Sequence, residues 1–180
     1  AMEMKTRLEG LLNADCRLPF VGTFHALGYH ILKSSMPDGS LGVVDEEMRR
    51  GLMKDILSMN KMSDSIKVDE LMQWVVCAKQ NLHPCTQVPE GICPPDQLGV
   101  FVSCYQEYER LLTILNLVDF EDLIFKSVAL LKKKENHCPF CSKGLDHIFI
   151  DEYQDINIGQ YQLVKLLAGA HASVCIIGDP

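Results

Sequence analysis

The sequence predicts an α/β fold in which a partial parallel sheet is interrupted by a mostly helical insert. Three observations lead there. Two short apolar runs, His147–Ile150 and Ser173–Ile177, flank an amphipathic stretch at 158–168. Strand, helix, strand at that spacing makes a βαβ unit with parallel strands. Residues 43–117 repeat their apolar positions with a helical period and offer no convincing strand. Finally, the run ending in Ile150 stops abruptly at Asp151-Glu152, with Asp155 three positions later. A strand buried on both faces in a parallel sheet releases its side chains to a ligand crevice at its carboxyl end.

Taken in order, residues 2–13 read as a charged helix with Met4, Leu8 and Leu11/Leu12 on one side. Leu18–Gly22 reads as a strand, and Thr23 as the N-cap of a helix carrying Phe24, Leu27, Ile31 and Leu32. Residues 34–40 have turn chemistry and mark a first boundary. In the insert, Val44, Met48, Leu52, Ile56 and Met59 form one stripe, and Val68, Leu71, Met72, Val75 and Val76 form a second. Residues 81–96, with four prolines, two cysteines and one glycine, are an irregular connection. Leu98, Phe101, Val102, Tyr105, Tyr108, Leu112 and Leu115 then mark a longer amphipathic helix. Asp119 caps the next, with Phe120, Leu123, Ile124, Val128 and Leu131 inward and Lys132–Lys134 at its end. Trp74 reads as packing, and Cys16, Cys104 and Cys175 as small buried hydrophobes.

The 180 residues carry 47% hydrophobic side chains, a globular value that argues against disorder. No apolar stretch approaches the ~18 residues of a membrane span, and no leader is visible. A net charge of −7 argues against nucleic-acid binding through bulk positive charge but leaves room for a local groove. Eight cysteines without an export signal point to thiols or metal before disulfides. No G-x-x-x-x-G-K-[ST] loop occurs, so the chain reads as a fragment. Adjacent acids are costly to bury unless a cation or a reaction needs them. Asp151 and Glu152 therefore suit one carboxylate on Mg²⁺ and one orienting a water for attack on a phosphate.

Asp151-Glu152-Tyr153-Gln154-Asp155 with Asn157 resembles the D-E-[FY]-Q-D-x-N signature of UvrD/Rep/PcrA-like superfamily 1 DNA helicases. Gly22-Thr23-Phe24-His25 resembles that family's G-T-F-H element, Val118–Leu123 its V-D-F-x-D-L stretch, and Ile177-Gly178-Asp179 the start of its next motif. Ala1, Glu3, Met4 and Arg7 fit the tail of its A-x-E-M-x-x-R segment. The resemblance implies a partial RecA-like sheet of the P-loop NTPase type: residues 1–35 and 118–180 from the first RecA-like domain, 36–117 its helical insert. It implies ATP and Mg²⁺ as ligands, with Asp151 on the ion and Glu152 orienting the attacking water. Gln154, Asp155 and Asp179 would complete the nucleotide side. It further implies single-stranded or duplex-junction DNA, 3′ to 5′ movement, and an intracellular, nucleoid-associated setting. The partners it expects are the phosphate loop and the second RecA-like domain, without which these residues would be inactive.

In the family, Thr23, Phe24 and His25 lie on the DNA path. A hydroxyl beside helix N-terminal amides suits a phosphate, and a ring can stack on a base. Equally, Thr23 can merely cap, Phe24 be core and His25 a surface group. Asp119 and Asp122 are read as capping their helix, with no chemistry. Cys138-Pro139-Phe140-Cys141 departs from the family pattern; its spacing can present two thiolates to Zn²⁺, with Cys85 and Cys93 as the best further ligands and Cys77, His83 and His137 next. Free thiols and a disulfide remain open. Two other readings stand beside the helicase: a helicase–nuclease subunit of the recombination type, and a non-catalytic interaction module with a zinc-binding insert.

Overall fold

The computed structural model describes residues 2–12, 18–36, 40–60, 66–133, 145–169 and 172–179. Helix α1 (Met2–Leu11) leaves its described side chains largely in solvent, with an Arg7–Glu3 pair at 2.6 Å one turn apart. Exposed pairs of this kind contribute little. The expected strand at 18–22 does not form. Phe20 instead folds back edge-on to His30, 5.5 Å between centroids, and its ring would lie 2.9 Å from any Cβ at Gly22. Thr23 then caps α2 (Phe24–Ser35) as expected, its Oγ1 accepting from the Ala26 N–H at 3.2 Å.

Residues 40–118 differ from the sequence expectation in two places. Strands β1 (Gly42–Val43) and β2 (Leu117–Val118) pair in parallel, Gly42 opposite Leu117 and Val43 opposite Val118. Two residues carry no periodicity, so neither strand was expected. Helix α3 (Glu46–Met59), capped by Asp45, buries Arg49, Met53, Ile56 and Leu57, while Met48 and Met59 are exposed. The stripe is rotated from the one read in sequence, because the helix starts at Glu46 and must face two neighbours. Helix α4 (Val68–Gln80) buries Leu71, Met72 and Val75, and α5 (Leu98–Ile114) buries Phe101, Tyr105, Tyr108 and Leu112, as expected. Phe101 and Tyr105 stack in parallel at 5.8 Å, and Trp74 meets Phe101 edge-on, so the tryptophan is packing. Each such burial contributes roughly 1.5–3 kcal/mol before entropy.

A second core lies between α2, α6 (Asp122–Lys132) and α7 (Ile158–Ala168), built on Ile31, Ile124, Val128, Leu163 and Leu167. Strands β3 (His147–Ile150) and β4 (Ser173–Ile176) are parallel as expected, His147 opposite Ser173 through Ile150 opposite Ile176. They are not buried on both faces. Ile150 alone of the eight is buried, and Phe149, Val174, Cys175 and Ile176 are exposed. Among the described residues β3 and β4 pair only with each other; Ile148 packs on the second core, whereas every residue of β4 is exposed. Cys104 is buried as expected; Cys175 is not. No helix is long and apolar enough to cross a membrane among the described residues.

A third, smaller cluster gathers Leu32, Val118 and Leu123, and Leu82, just beyond α4, packs on the second core; a buried charge cluster adds to these contacts. Lys79, on the last turn of α4, is 1% exposed. Its Nζ lies 2.7 Å from Asp119 Oδ2, 2.8 Å from Asp122 Oδ1 and 2.6 Å from Glu109 Oε1. Arg49 of α3 reaches Glu121 at 3.2 Å. The N-cap position of α6 falls on Glu121, which makes no side-chain cap; Asp119 and Asp122 instead brace the turn before the helix, each accepting the other's backbone N–H, and they also hold the buried Lys79.

Candidate functional site

Ile150 anchors the end of β3 in the core, and the chain turns sharply just beyond it. Glu152 adopts φ 53°, ψ 45°, the left-handed region that a non-glycine residue enters at a penalty of about 1–2 kcal/mol. The Asp151 carboxylate accepts the Glu152 N–H at 3.1 Å and braces this bend. Asp151 and Glu152 both emerge exposed, rather than alternating across the sheet as strand residues would. A short 3₁₀ turn, Tyr153–Asp155, follows.

Gln154 ties this loop to the end of β4. Its Nε2 donates to Glu152 Oε2 at 2.5 Å, and its Oε1 accepts the Asp179 N–H at 3.2 Å. The backbone reinforces the link, Tyr153 N–H donating to Ile177 O at 3.1 Å and Ile177 N–H to Ile150 O at 2.8 Å. Gly178 leaves the room: a Cβ there would sit 2.6 Å from Gln154 Oε1. The fold thus brings Asp151, Glu152, Gln154 and Asp179 to adjacent strand ends, with Asp155 in the next turn. Such an oxygen-only donor set fits a hard cation such as Mg²⁺ and does not suit a soft one.

Thr23, Phe24 and His25 separate in role. Phe24 is half-buried and packs against the α2–α6–α7 core. Thr23 uses a lone pair as the cap, which leaves its O–H able to donate outward. His25 stacks on Phe120, ring centroids 3.7 Å apart and planes 19° from parallel. Partial burial lowers the pKa of His25, which favours the neutral imidazole. Phe120 is 51% exposed. It was expected on the inner side of its helix, but it precedes α6 in the turn and points outward to the histidine. Its neighbourhood with His25 is a tertiary fact, with nothing in the local pattern to reveal it.

Cys138 and Cys141 lie outside the described residues. Cys85 is half-buried and Cys93 buried, and burial pushes both thiols up. Glu109, Asp119 and Asp122 bring three carboxylate oxygens within 4.8 Å of one another, as a metal site would. The Lys79 ammonium already occupies the centre of that set. The described residues therefore give the expected zinc site no support.

Fold and site together define a mixed α/β protein with a candidate phosphate-handling loop at the end of a parallel strand pair. Residues 1–180 match the UvrD/REP helicase N-terminal domain, and the chain belongs to that family. It is 30% identical over 185 residues to the ATP-dependent DNA helicase Rep of Escherichia coli (strain K12), covering 99% of this chain and 27% of that protein. To the DNA helicase II of Rickettsia typhi it is 30% identical over 188 residues, covering 99% and 28%. To the ATP-dependent DNA helicase PcrA of Staphylococcus epidermidis (strain ATCC 35984) it is 28% identical over 186 residues, covering 99% and 25%. The chain spans about a quarter of the length of these curated relatives.

Proposed function

We propose that the full-length protein carrying this chain is an ATP-dependent DNA helicase or translocase that moves 3′ to 5′ on single-stranded DNA. Residues 1–35 and 118–180 are the RecA-like part and 36–117 the insert. The observation that carries the reading is the loop in which Gln154 links Glu152 to the backbone at Asp179. In it, Asp151 would hold Mg²⁺, and Glu152 would orient the water that attacks the γ-phosphate. Mg²⁺, when held, spreads the charge developing on the phosphate oxygens. Gln154 keeps Glu152 aligned, and Asp155 and Asp179 flank the nucleotide.

DNA enters on a different chemistry. The overall charge of −7 gives no broad basic surface, so affinity comes from local features. The His25–Phe120 stack is an exposed aromatic platform for a base, and the Thr23 hydroxyl and the α2 N–H groups beside it take a backbone phosphate. These 180 residues contain no phosphate-cradling loop and do not turn ATP over alone. In the full-length protein, Glu152→Gln should cut DNA-stimulated ATP hydrolysis by at least a hundredfold while the protein still binds a single-stranded oligonucleotide. Undiminished hydrolysis by that variant would reject the assignment.

A further inference from the structure

The turn that presents Phe120 is held by its own cross-bonds and by two cations from α3 and α4. Asp119 and Asp122 bracket Phe120 and Glu121, and all three carboxylates meet insert cations: Asp119 and Asp122 meet Lys79, and Glu121 meets Arg49. Lys126 adds a contact to Asp122 at 2.8 Å from within α6. Tyr105 and Tyr108 of α5 wall the lysine, their ring centroids 6.0 and 5.3 Å from Nζ. Phe120 is the one residue of the four that faces out, and it lands on His25.

Taking an ammonium out of water is unfavourable unless it is fully paired. A merely structural link between two cores would be better made with apolar side chains, which often match or exceed a buried ion pair in stability. What the charged arrangement adds is geometry: Nζ stands within 2.8 Å of both ends of one four-residue turn. Without Lys79, Lys126 alone would face three carboxylates whose oxygens lie within 4.8 Å of one another in a poorly solvated site, and the turn would open.

We propose that Lys79 is a positioning residue for single-stranded DNA: it fixes the Asp119–Asp122 turn so that Phe120 stacks on His25 and the pair meets a base. The proposal rests on the reading of His25 and Phe120 as a base platform. It gives the insert a part in DNA binding through a residue that never touches DNA.

The test uses the full-length protein, a fluorescent oligo-dT and steady-state ATP hydrolysis. Phe120→Ala should weaken oligonucleotide binding about tenfold, as expected for loss of one stacked base. Lys79→Met should raise the half-saturating oligonucleotide concentration by a similar factor, and move half-saturating ATP at saturating DNA less than twofold. The Lys79→Met/Phe120→Ala double variant should bind no more weakly than either single one, because both remove the same contact. Asp119→Asn guards against a folding failure of Lys79→Met. It leaves two carboxylates against Lys79 and Lys126 and keeps an oxygen to accept the Asp122 N–H. It should fold and weaken oligonucleotide binding severalfold. If Phe120→Ala binds normally, the platform reading falls and takes the proposal with it. If Phe120→Ala binds weakly while folded Lys79→Met or Asp119→Asn binds normally, or if the double variant is additive, the platform stands and the proposal is overturned.

Discussion

At the scale of single residues, Glu152 and Gly178 show how the acid loop is held. Glu152 sits in a left-handed conformation that is tolerated because its neighbours over-determine it: Asp151 takes its N–H and Gln154 its carboxylate. Gly178 is the clearance for Gln154. An alanine there meets the far end of a flexible side chain, so the fold should survive while Gln154 is displaced from Glu152 and the Asp179 N–H. Gly178→Ala in the full-length protein should lower kcat for DNA-stimulated hydrolysis about tenfold. Thermal unfolding should change little, since a partly exposed hydrogen bond is worth only about 0.5–1.5 kcal/mol. An unchanged kcat would separate Gln154 from the chemistry.

At the scale of elements, α2 and α6 cross with almost no space between their backbones. A Cβ on Gly28 would come within 2.2 Å of the Leu123 carbonyl oxygen, and Ser127 Oγ donates to Gly28 O at 3.1 Å. Because that collision is with backbone, it cannot be relieved by a rotamer change. Gly28→Ala should therefore destabilise by about 1–3 kcal/mol and displace His25 from Phe120. Urea unfolding and oligonucleotide affinity should fall together; a normal urea midpoint would show the contact to be looser than it looks. The helices were largely legible in the sequence, since Leu71, Met72 and Val75, or Phe101, Tyr105 and Tyr108, repeat at helical spacing and are buried. Strands were legible only in part. β3 and β4 announced themselves by composition and pair as expected, whereas Leu18–Gly22, also apolar, pairs with no strand among the described residues.

For the molecule as a whole, the joint between its two larger cores includes a buried charge cluster and should report pH. Burial pulls the Lys79 pKa down, but Asp122, Asp119 and Glu109 outweigh it and hold it well above its usual range. Burial pushes Asp122 up, and Lys79 and Lys126 reverse this, leaving it below the usual carboxylate range. Burial and then Asp122 push Glu109 up, and burial raises Glu121 against the pull of Arg49. A raised lysine contributes stability below its unfolded pKa and loses it as pH rises through its folded one. A lowered aspartate contributes above its unfolded pKa and loses it as pH falls through its folded one; a raised glutamate gains stability on taking its proton. Amide exchange at residues 119–126 of the full-length protein, corrected for intrinsic rate, should hold its protection from mild acid through neutrality. Protection should fail first only below the ordinary aspartate range or above the ordinary lysine range. Loss of protection between pH 6 and 8 would contradict this account of the joint.

The sequence by itself determined the mixed α/β class, the parallel pairing of β3 with β4, the helices between residues 46 and 114 and the acids at the strand end. These follow from local periodicity and from residue types whose chemistry is specific. Only the tertiary structure decided that Phe120 faces out to His25, that Gln154 bridges two strand ends, and that Lys79 is buried among three acids contributed by positions 30 to 43 residues away. A charge on a helix reads locally as a solvated one. Whether it is instead buried and paired depends on which distant elements fold against it, and no local pattern carries that information.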